Sequence, residues 1–402
     1  AMILRRLNVK GGTQRQALSL ARELTRRGHE VIIYAFAYNK EKCYPELLEH
    51  MKVVVAPEAR EEKTLDYYLD FRFLKRGQLA AILRESHRAR LLAKIMDHDL
   101  DILNPHDQVS YRVAYYYKKL VRRIPSVWNM NDLPIYRFGY DKAQEMDPTF
   151  HRSFLRRLSY RVLDAYEAYF IRRQDRILVV DFFNRGLVKK YLGLSAITVR
   201  NGPDLEHFIY RERKAPGKNI KLLTSGILLP HRRFEDSINA LPLLMKQGYA
   251  PTLTIVGDYE NDRKYFEKLQ NLVATLGLKK QVTFAGRISE DELIRAYNEH
   301  DVYVFQHHWQ SDGLSQFEAA ATGLPMIVSR TAGCHEVLTD GKNALFINPK
   351  DPADIVAKVK MLIANPALYR TLSREGNTFI RNNFSWEKYA DEVVKVFEQV
   401  TR

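Results

Sequence analysis

Two cysteines, Cys43 and Cys334, are all that the 402-residue chain contains, and they stand far apart. That count excludes a disulfide framework and a structural zinc site, and it fits a reducing compartment. No apolar run reaches the ~18 residues that a membrane-spanning helix needs, so none is expected. The first residues do not read as a secretory signal, and Ala1 before Met2 is read as extraneous to the fold. Short-period repeats and low-complexity tracts are missing too, which argues against solenoids and disordered linkers. The expected location is the cytoplasm, either free or peripheral on the cytoplasmic face of the membrane.

The remaining composition is that of a globular protein long enough for two cores. Its net charge of +15 is unevenly placed. Residues 1–200 hold 37 Lys/Arg against 23 Asp/Glu, whereas residues 201–402 hold 26 against 25. A basic first half points to an anionic partner, namely a membrane surface, a lipid phosphate or a nucleic acid, or else to a generally basic solvated surface.

Short apolar runs alternate with helical spacing throughout. Ile3 and Leu4 begin a strand, Gly11 and Gly12 make a loop, and Ala17, Leu20, Ala21 and Leu24 recur at helical spacing. Thr13 and Gln16 fit a capping box at the start of that helix, and Gly28 fits its end. Val31 to Phe36 completes a βαβ unit. Further strands are expected at Val53–Val55, Ile102–Leu103, Val127–Trp128 and Ile177–Val180. In the second half they fall at Leu222–Thr224, Leu253–Val256, Val282–Phe284, Val302–Phe305, Met326–Val328 and Leu345–Ile347. The pattern predicts an α/β protein of two doubly wound, parallel-sheet domains. The expected boundaries are 1–200, 201–384 and a last helix, 385–402, capped by Ser385.

Ligands of open α/β sheets bind beyond the carboxyl ends of the strands. Five segments fall there. Lys10-Gly11-Gly12-Thr13 offers bare backbone at a helix start, which suits an anion but also serves a plain turn. Ser225-Gly226 leads to Arg232 and Arg233, whose planar forks suit phosphate oxygens. The segment from Trp309 to Gly323 carries Gln310, Asp312 and Gly313, then Leu314 and Ser315 at a helix start, then Glu318 one turn in. A carboxylate there can accept hydrogen bonds from two ribose hydroxyls, or form an internal ion pair. The fourth is Val199 to Asp204 at the domain crossing, and the fifth is His106, after the strand ending at Asn104. Asp97-His98-Asp99-Leu100-Asp101 contains two D-x-D triplets, but at the amino end of its strand, so it reads as a turn and not as a metal site. His307 and His308 are adjacent and point to opposite faces, so no metal is expected there either.

Taken in order, these segments resemble the retaining GT-B glycosyltransferases of the family-four type over nearly the whole chain. The resemblance is carried by Gly11-Gly12, Arg27-Gly28-His29-Glu30-Val31, Val199-Arg200-Asn201-Gly202, Gly257-Asp258, Phe317-Glu318-Ala319 through Gly323-Leu324-Pro325, Gly333-Cys334-His335-Glu336 and Asp340-Gly341. It implies two Rossmann-like domains facing a cleft, with the donor nucleotide on the second, the acceptor mainly on the first, and the last helix returning to the first. It implies a retaining, metal-independent hexosyltransferase with no cofactor, fed by a UDP-sugar or GDP-sugar and acting on a glycan, a lipid-linked sugar or a lipid phosphate. Glu318 would hold the ribose and Arg232 the diphosphate, with Arg233 assisting. Gly12, Leu314 and Ser315 would present amides, with Gly11, Gly226 and Gly313 shaping the loops. Arg287 and Ile288 would flank the base. His106 and Asp312 complete the candidate catalytic set.

Three positions depart from the family pattern. Gln310 stands where the first Glu of its E-x7-E motif falls, Ile227 where an Arg is usual, and Asn129 or Asn131 where many members carry a His. The donor sugar is therefore open. Other GT-B enzymes, a phosphorylase or a sugar-nucleotide epimerase, are the nearest alternatives. A basic nucleic-acid-binding protein is the alternative from another class, without a recognised module to support it.

Overall fold

A computed structural model describes residues 1–56 and 78–402, with side chains described from residue 81 in the second stretch. Arg72, Lys75 and Arg76, part of the basic first half, lie outside the described residues. The chain divides into two compact units, residues 1–201 with 386–402, and residues 202–385.

In the first unit, β1 (Met2–Leu7), β2 (Ile32–Tyr38), β3 (Lys52–Val55) and β4 (Asn104–Pro105) form a sheet of order β3-β2-β1-β4. A second sheet, β5 (Val127–Met130), β6 (Arg176–Val179) and β7 (Ile197–Thr198), has order β5-β6-β7. A parallel bridge from Leu103 to Ser126, with the Val127 N–H donating to the Leu103 carbonyl at 2.9 Å, joins them edge to edge. Every strand pair in both is parallel, and the order turns back at β1/β4. The strand expected at Ile102–Leu103 is shifted to Asn104–Pro105, because Leu103 bonds toward Ser126 while Asn104 is the residue that pairs with Met2.

Helix α1 (Gly12–Arg26) begins one residue before Thr13, and the capping box expected from Thr13 and Gln16 does not form. Gln16 is buried, so its amide points into the core instead of back to the helix start. The Gly11 carbonyl accepts from the Arg15 N–H at 3.0 Å, and the Gln14 amide reaches the Arg6 carbonyl at 3.0 Å. The helix ends as expected on Gly28, whose φ of +85° is the left-handed conformation that a glycine supplies without strain.

The second unit repeats the plan. Its strands are β8 (Asn219–Ser225), β9 (Ala250–Val256), β10 (Val282–Gly286), β11 (Val302–Phe305), β12 (Met326–Ser329) and β13 (Leu345–Ile347), in order β10-β9-β8-β11-β12-β13. All pairs are parallel. Both sheet faces are buried, and side chains alternate between two cores: Val302 and Val304 enter one, Tyr303 and Phe305 the other. That is why these strands read as continuous apolar runs. The order turns back at β8/β11, which makes the carboxyl ends of those two strands the place for a ligand.

The first unit also holds a buried ion pair. Arg112, on α4 (Ser110–Leu120), pairs with Glu167, on α6 (Phe154–Ile171), and both are fully buried. Tyr111 donates to Glu167 at 2.6 Å, and Arg112 donates to Ser86 on α3 (Gln78–Ile95) at 3.1 Å. Removing one partner strands a buried charge. Glu167→Ala is expected to destabilise the protein by about 3–5 kcal/mol, and Glu167→Leu with Arg112→Met to recover most of that loss. Denaturant unfolding followed by circular dichroism reads both, and equal losses in the single and double variants would contradict the pairing.

Candidate functional site

At the β8/β11 turning point the chain leaves β8 through Ser225 and Gly226. Gly226 has φ +147°, and a Cβ there would lie 2.1 Å from the Arg232 guanidinium and 3.2 Å from the His307 ring. The guanidinium therefore lies across a bare stretch of backbone. Gly257, after β9, has φ +149°, and a Cβ on it would lie 1.9 Å from the Gly226 carbonyl oxygen. Only glycine permits this approach, and the Gly226 N–H donates to Val256 at 2.8 Å beside it.

Buried polar side chains hold the loop in place. Gln306, fully buried after β11, donates from Nε2 to the Arg232 carbonyl at 3.1 Å. Its Oε1 accepts from Thr224 at 3.2 Å and from Ser237 at 3.1 Å. The Tyr303 hydroxyl donates to Ser315 Oγ at 2.8 Å and stands 2.7 Å from Ser225 Oγ, which leaves Ser225 as the donor of that second bond. Ser315 opens the short helix Ser315–Ala321, on which Glu318 is buried and accepts from the Tyr297 hydroxyl at 3.0 Å. Desolvation and the Glu318 charge keep the Tyr297 phenol well above its ordinary range, so it stays a proton donor.

The candidates named from sequence separate into groups. Gly226, Arg232, Ser315 and Glu318 gather at this turning point, bridged by Tyr303 and Tyr297. Arg233 is held elsewhere: it donates to Asp236 at 3.0 and 2.6 Å and pairs with Glu235 at 3.3 Å, all at the start of its own helix. These acids remove the conflict between a cation and the helix macrodipole. Gln310 Oε1 lies 3.2 Å from His231 Nε2, Asp312 is buried, and Leu314 directly precedes the Ser315 helix. A Cβ on Gly313 would crowd Gln316 and the Phe305 ring. Arg287 pairs with Asp258, and Ile288 packs against the core that contains Tyr303. His307 lies against the Phe305 ring with centroids 4.0 Å apart, while His308 contacts Thr331 at 2.8 Å. Among the described residues no group of three or more His, Cys, Asp or Glu is placed to hold a metal.

Gly11, Gly12 and His106 belong to the first unit. A Cβ on Gly12 would meet nothing within 4 Å, so bare backbone is presented there. His106 is fully buried. The Asn104 amide donates to the Val127 carbonyl at 2.6 Å, which turns its Oδ1 toward His106 Nε2, also at 2.6 Å. His106 Nε2 is thus the donor, and Nδ1 accepts from Asn129 at 3.2 Å. As it stands, the imidazole orders the ends of β4 and β5. Asp97 accepts from Tyr34 at 2.9 Å and from Lys52 at 3.3 Å, at the amino end of β4 where sequence placed a turn.

The families match in order along the chain. Residues 10–207 match the model described as Glycosyltransferase Family 4, and residues 207–379 the model described as Glycosyl transferases group 1. The chain belongs to the GT-B glycosyltransferases. Glycogen synthase of Mycobacterium tuberculosis is 23% identical to it over 397 residues, covering 97% of this chain and 91% of that one. Among solved structures, Anabaena HepE in complex with UDP and glucose superposes with a TM-score of 0.71 at 15% identity, covering 99% of this chain and 98% of that one. Sucrose-phosphate synthase of Thermosynechococcus elongatus gives 0.74 at 17% identity, with the same coverage. Within this GT-B chain, sequence reading missed Tyr297, Tyr303 and Gln306. The available signal was their place: Gln306 directly follows β11 at the turning point, and the two tyrosines carry hydroxyls into an otherwise apolar core.

His106 and its neighbour Asp107 titrate in opposition. Burial lowers the His106 imidazole from 6.5 to about 3 and raises the Asp107 carboxyl from 3.8 to about 7, against the opposing pull of Arg5. Below pH 6.5 the unfolded histidine takes a proton that the folded one refuses, so this group's stabilisation is lost as pH falls. Above pH 3.8 the folded aspartic acid keeps a proton that the unfolded one releases, so its stabilisation is lost as pH rises. The two slopes oppose each other between those values. Asp107→Asn is expected to unmask the histidine: stability should rise with pH from about 4 to 6.5 by up to ~1.4 kcal/mol per unit, with the wild type flatter. Denaturant unfolding at stepped pH checks it, and parallel profiles for the two proteins would contradict it.

Proposed function

We propose that the chain transfers a hexosyl group from a UDP-sugar or GDP-sugar to a sugar or lipid-linked acceptor, with retention at the anomeric carbon. The observation that carries this reading is the Arg232 guanidinium lying across Gly226 at the β8/β11 turning point, with Glu318 on the helix that follows β11. A planar cation over bare backbone suits a diphosphate, and a buried carboxylate braced by Tyr297 suits a ribose diol. Gly257 extends the bare backbone, and Arg287 and Ile288 stand one strand further along for the base. HepE, with its bound UDP and glucose, supports a uridine nucleotide as the first donor to test.

In the proposed step the bond from the anomeric carbon to the diphosphate oxygen breaks, and a bond to the acceptor hydroxyl oxygen forms on the same face. The hydroxyl proton passes to the departing phosphate oxygen. Arg232 stabilises the charge gathering on that leaving group, which is where fixed dipoles and cations accelerate a reaction most. In the second unit Leu314 and Ser315 contribute amides and Asp312 and Gln310 address the donor sugar; in the first unit, taken by itself, Gly12 presents bare backbone and His106 keeps Asn129 in place. Arg233, engaged with Asp236, supports Arg232 through the loop they share.

Two substitutions separate binding from chemistry. Glu318→Ala is expected to weaken nucleotide binding by about 1.5–3 kcal/mol through lost hydrogen bonds to a charged acceptor. Arg232→Ala is expected to lower turnover on the order of 10²–10³-fold, with a smaller effect on nucleoside affinity. Calorimetry with UDP and GDP, and a donor-turnover assay, measure these. Unchanged affinity in folded Glu318→Ala, or near-normal turnover in Arg232→Ala, would refute the respective role.

The reaction is also expected to proceed without a divalent metal, since Arg232 supplies the charge that a metal would otherwise bring to the diphosphate. Turnover should survive exhaustive chelation with EDTA. Loss of activity that magnesium or manganese restores would overturn this and return attention to Asp97, Asp99 and Asp101.

A further inference from the structure

Helix α6 is built the wrong way round for a soluble surface. Its inward face is Tyr160, Asp164, Glu167, Ala168, Phe170 and Ile171, so two acids share it with the core residues. Both of its acids are therefore inside: Asp164 accepts from the Tyr136 N–H at 2.6 Å and from Arg137 at 2.5 Å, and Glu167 pairs with Arg112. Its outward face carries Leu155, Leu158, Val162, Ala165 and Tyr169, spaced three and four apart so that they form one stripe. Leu155 is 75% exposed, Val162 67%, and Phe154 beside them 71%. A surface helix ordinarily buries its apolar stripe and solvates its charges.

Because both acids are buried, every exposed charge on this helix is positive. Arg157 and Arg161 flank the stripe. At its end Arg173 lies over the Tyr169 ring, 3.5 Å from the centroid, and the Tyr169 hydroxyl meets that of Tyr115 at 2.9 Å. Helix α3 meets it through the Ser86 and Tyr166 hydroxyls at 2.6 Å, and carries exposed Leu83, Arg84 and Arg90. Apolar side chains bordered by guanidinium and phenol groups match the boundary between lipid headgroups and acyl chains. Pairing with a second copy would bring arginine flanks against arginine flanks, whereas lipid phosphates complement them.

We propose that the outward face of α6, with the adjoining turn of α3, docks on an anionic membrane. This rests on no assumption about the sugar-transfer site. The test is co-sedimentation of the full chain with vesicles of phosphatidylcholine alone, or mixed with phosphatidylglycerol. Binding is expected to the mixed vesicles only, and to fall about tenfold or more when salt is raised from low ionic strength to ~0.5 M. Arg157→Glu with Arg161→Glu should abolish it. Leu155→Ser with Leu158→Ser and Val162→Ser should weaken it at least about tenfold through the lost apolar contact. Thermal melting and nucleotide affinity of both variants should stay as in the wild type, since none of these side chains enters a core. Equal recovery of the wild type in the supernatant with both vesicle types at low salt would overturn the proposal. So would wild-type binding by the serine variant. A dimer in light scattering that the serine variant dissociates, without vesicle binding by the wild type, would assign the face to a second copy.

Discussion

The approach of the Gly257 backbone to the Gly226 carbonyl fixes the carboxyl edge of the second unit. Strands β8 and β9 pair in register over seven residues, from Asn219 with Ala250 to Ser225 with Val256, and so end together. Their loops then leave side by side, close enough for the Leu228 N–H to bond the Asp258 carbonyl at 2.8 Å. That contact sets the height of the following turn, and with it the position of Arg232 over Gly226. Gln306 locks the turn from the neighbouring strand end. Because Gln306 is fully buried, displacing the loop would leave its Nε2 without the Arg232 carbonyl, at a cost of about 1–3 kcal/mol. The Arg232 backbone is thus held by the loop geometry and one buried amide, and its guanidinium starts from a fixed point over Gly226.

Most of the architecture was legible, because a parallel sheet buried on both faces leaves a strong trace. Strands appear as short apolar runs, and glycines such as Gly28 mark helix ends by a conformation that other residues adopt at a cost. The capping box at Thr13 and Gln16 failed for the opposite reason. Its residues are common, and a buried Gln16 satisfies the same sequence pattern as a capping one. The places of the candidates Glu318 and Arg232 beyond strand ends could be read from the sequence. The different fates of Arg232 and Arg233 could not. They are decided by the positive φ of Arg233, +54°, which turns its side chain back onto Asp236. Tyr297 and Tyr303 were hidden because a tyrosine whose ring is in the core and whose hydroxyl is at work looks, in sequence, like any core aromatic.

The inverted helix α6 shows a related limit. Arg112 is fully buried and requires a carboxylate, which α6 supplies as Glu167; Asp164, one turn earlier on the same face, meets Arg137 and the Tyr136 N–H. Once two acids must face inward, Leu155, Leu158 and Val162 on the opposite face are carried outward by the helical period. Both faces of the sequence contain apolar residues, so periodicity alone does not say which is inside. The choice is made by the charge on a neighbouring helix more than 40 residues away.

Gln310 is the departure with the most direct physical reading. Its backbone is fixed, since it bridges to Ala332 and its carbonyl accepts from the Gly333 N–H at 2.9 Å, so the side chain starts from a defined point. There its Oε1 faces His231 at 3.2 Å. A glutamate in this position would offer the same acceptor together with a full negative charge, close to the loop that carries Arg232. The amide keeps the acceptor and drops the charge. In the proposed reaction negative charge builds on the diphosphate beside Arg232, and a carboxylate on the adjoining segment would oppose it through space, more strongly in a water-poor site than in bulk solvent. Gln310 therefore adds no negative charge there, while Asp312, two residues on and buried, is a carboxylate of the same segment. In the proposed reaction glutamine at this position would favour holding the leaving group, and the choice of sugar would rest on hydrogen-bond geometry.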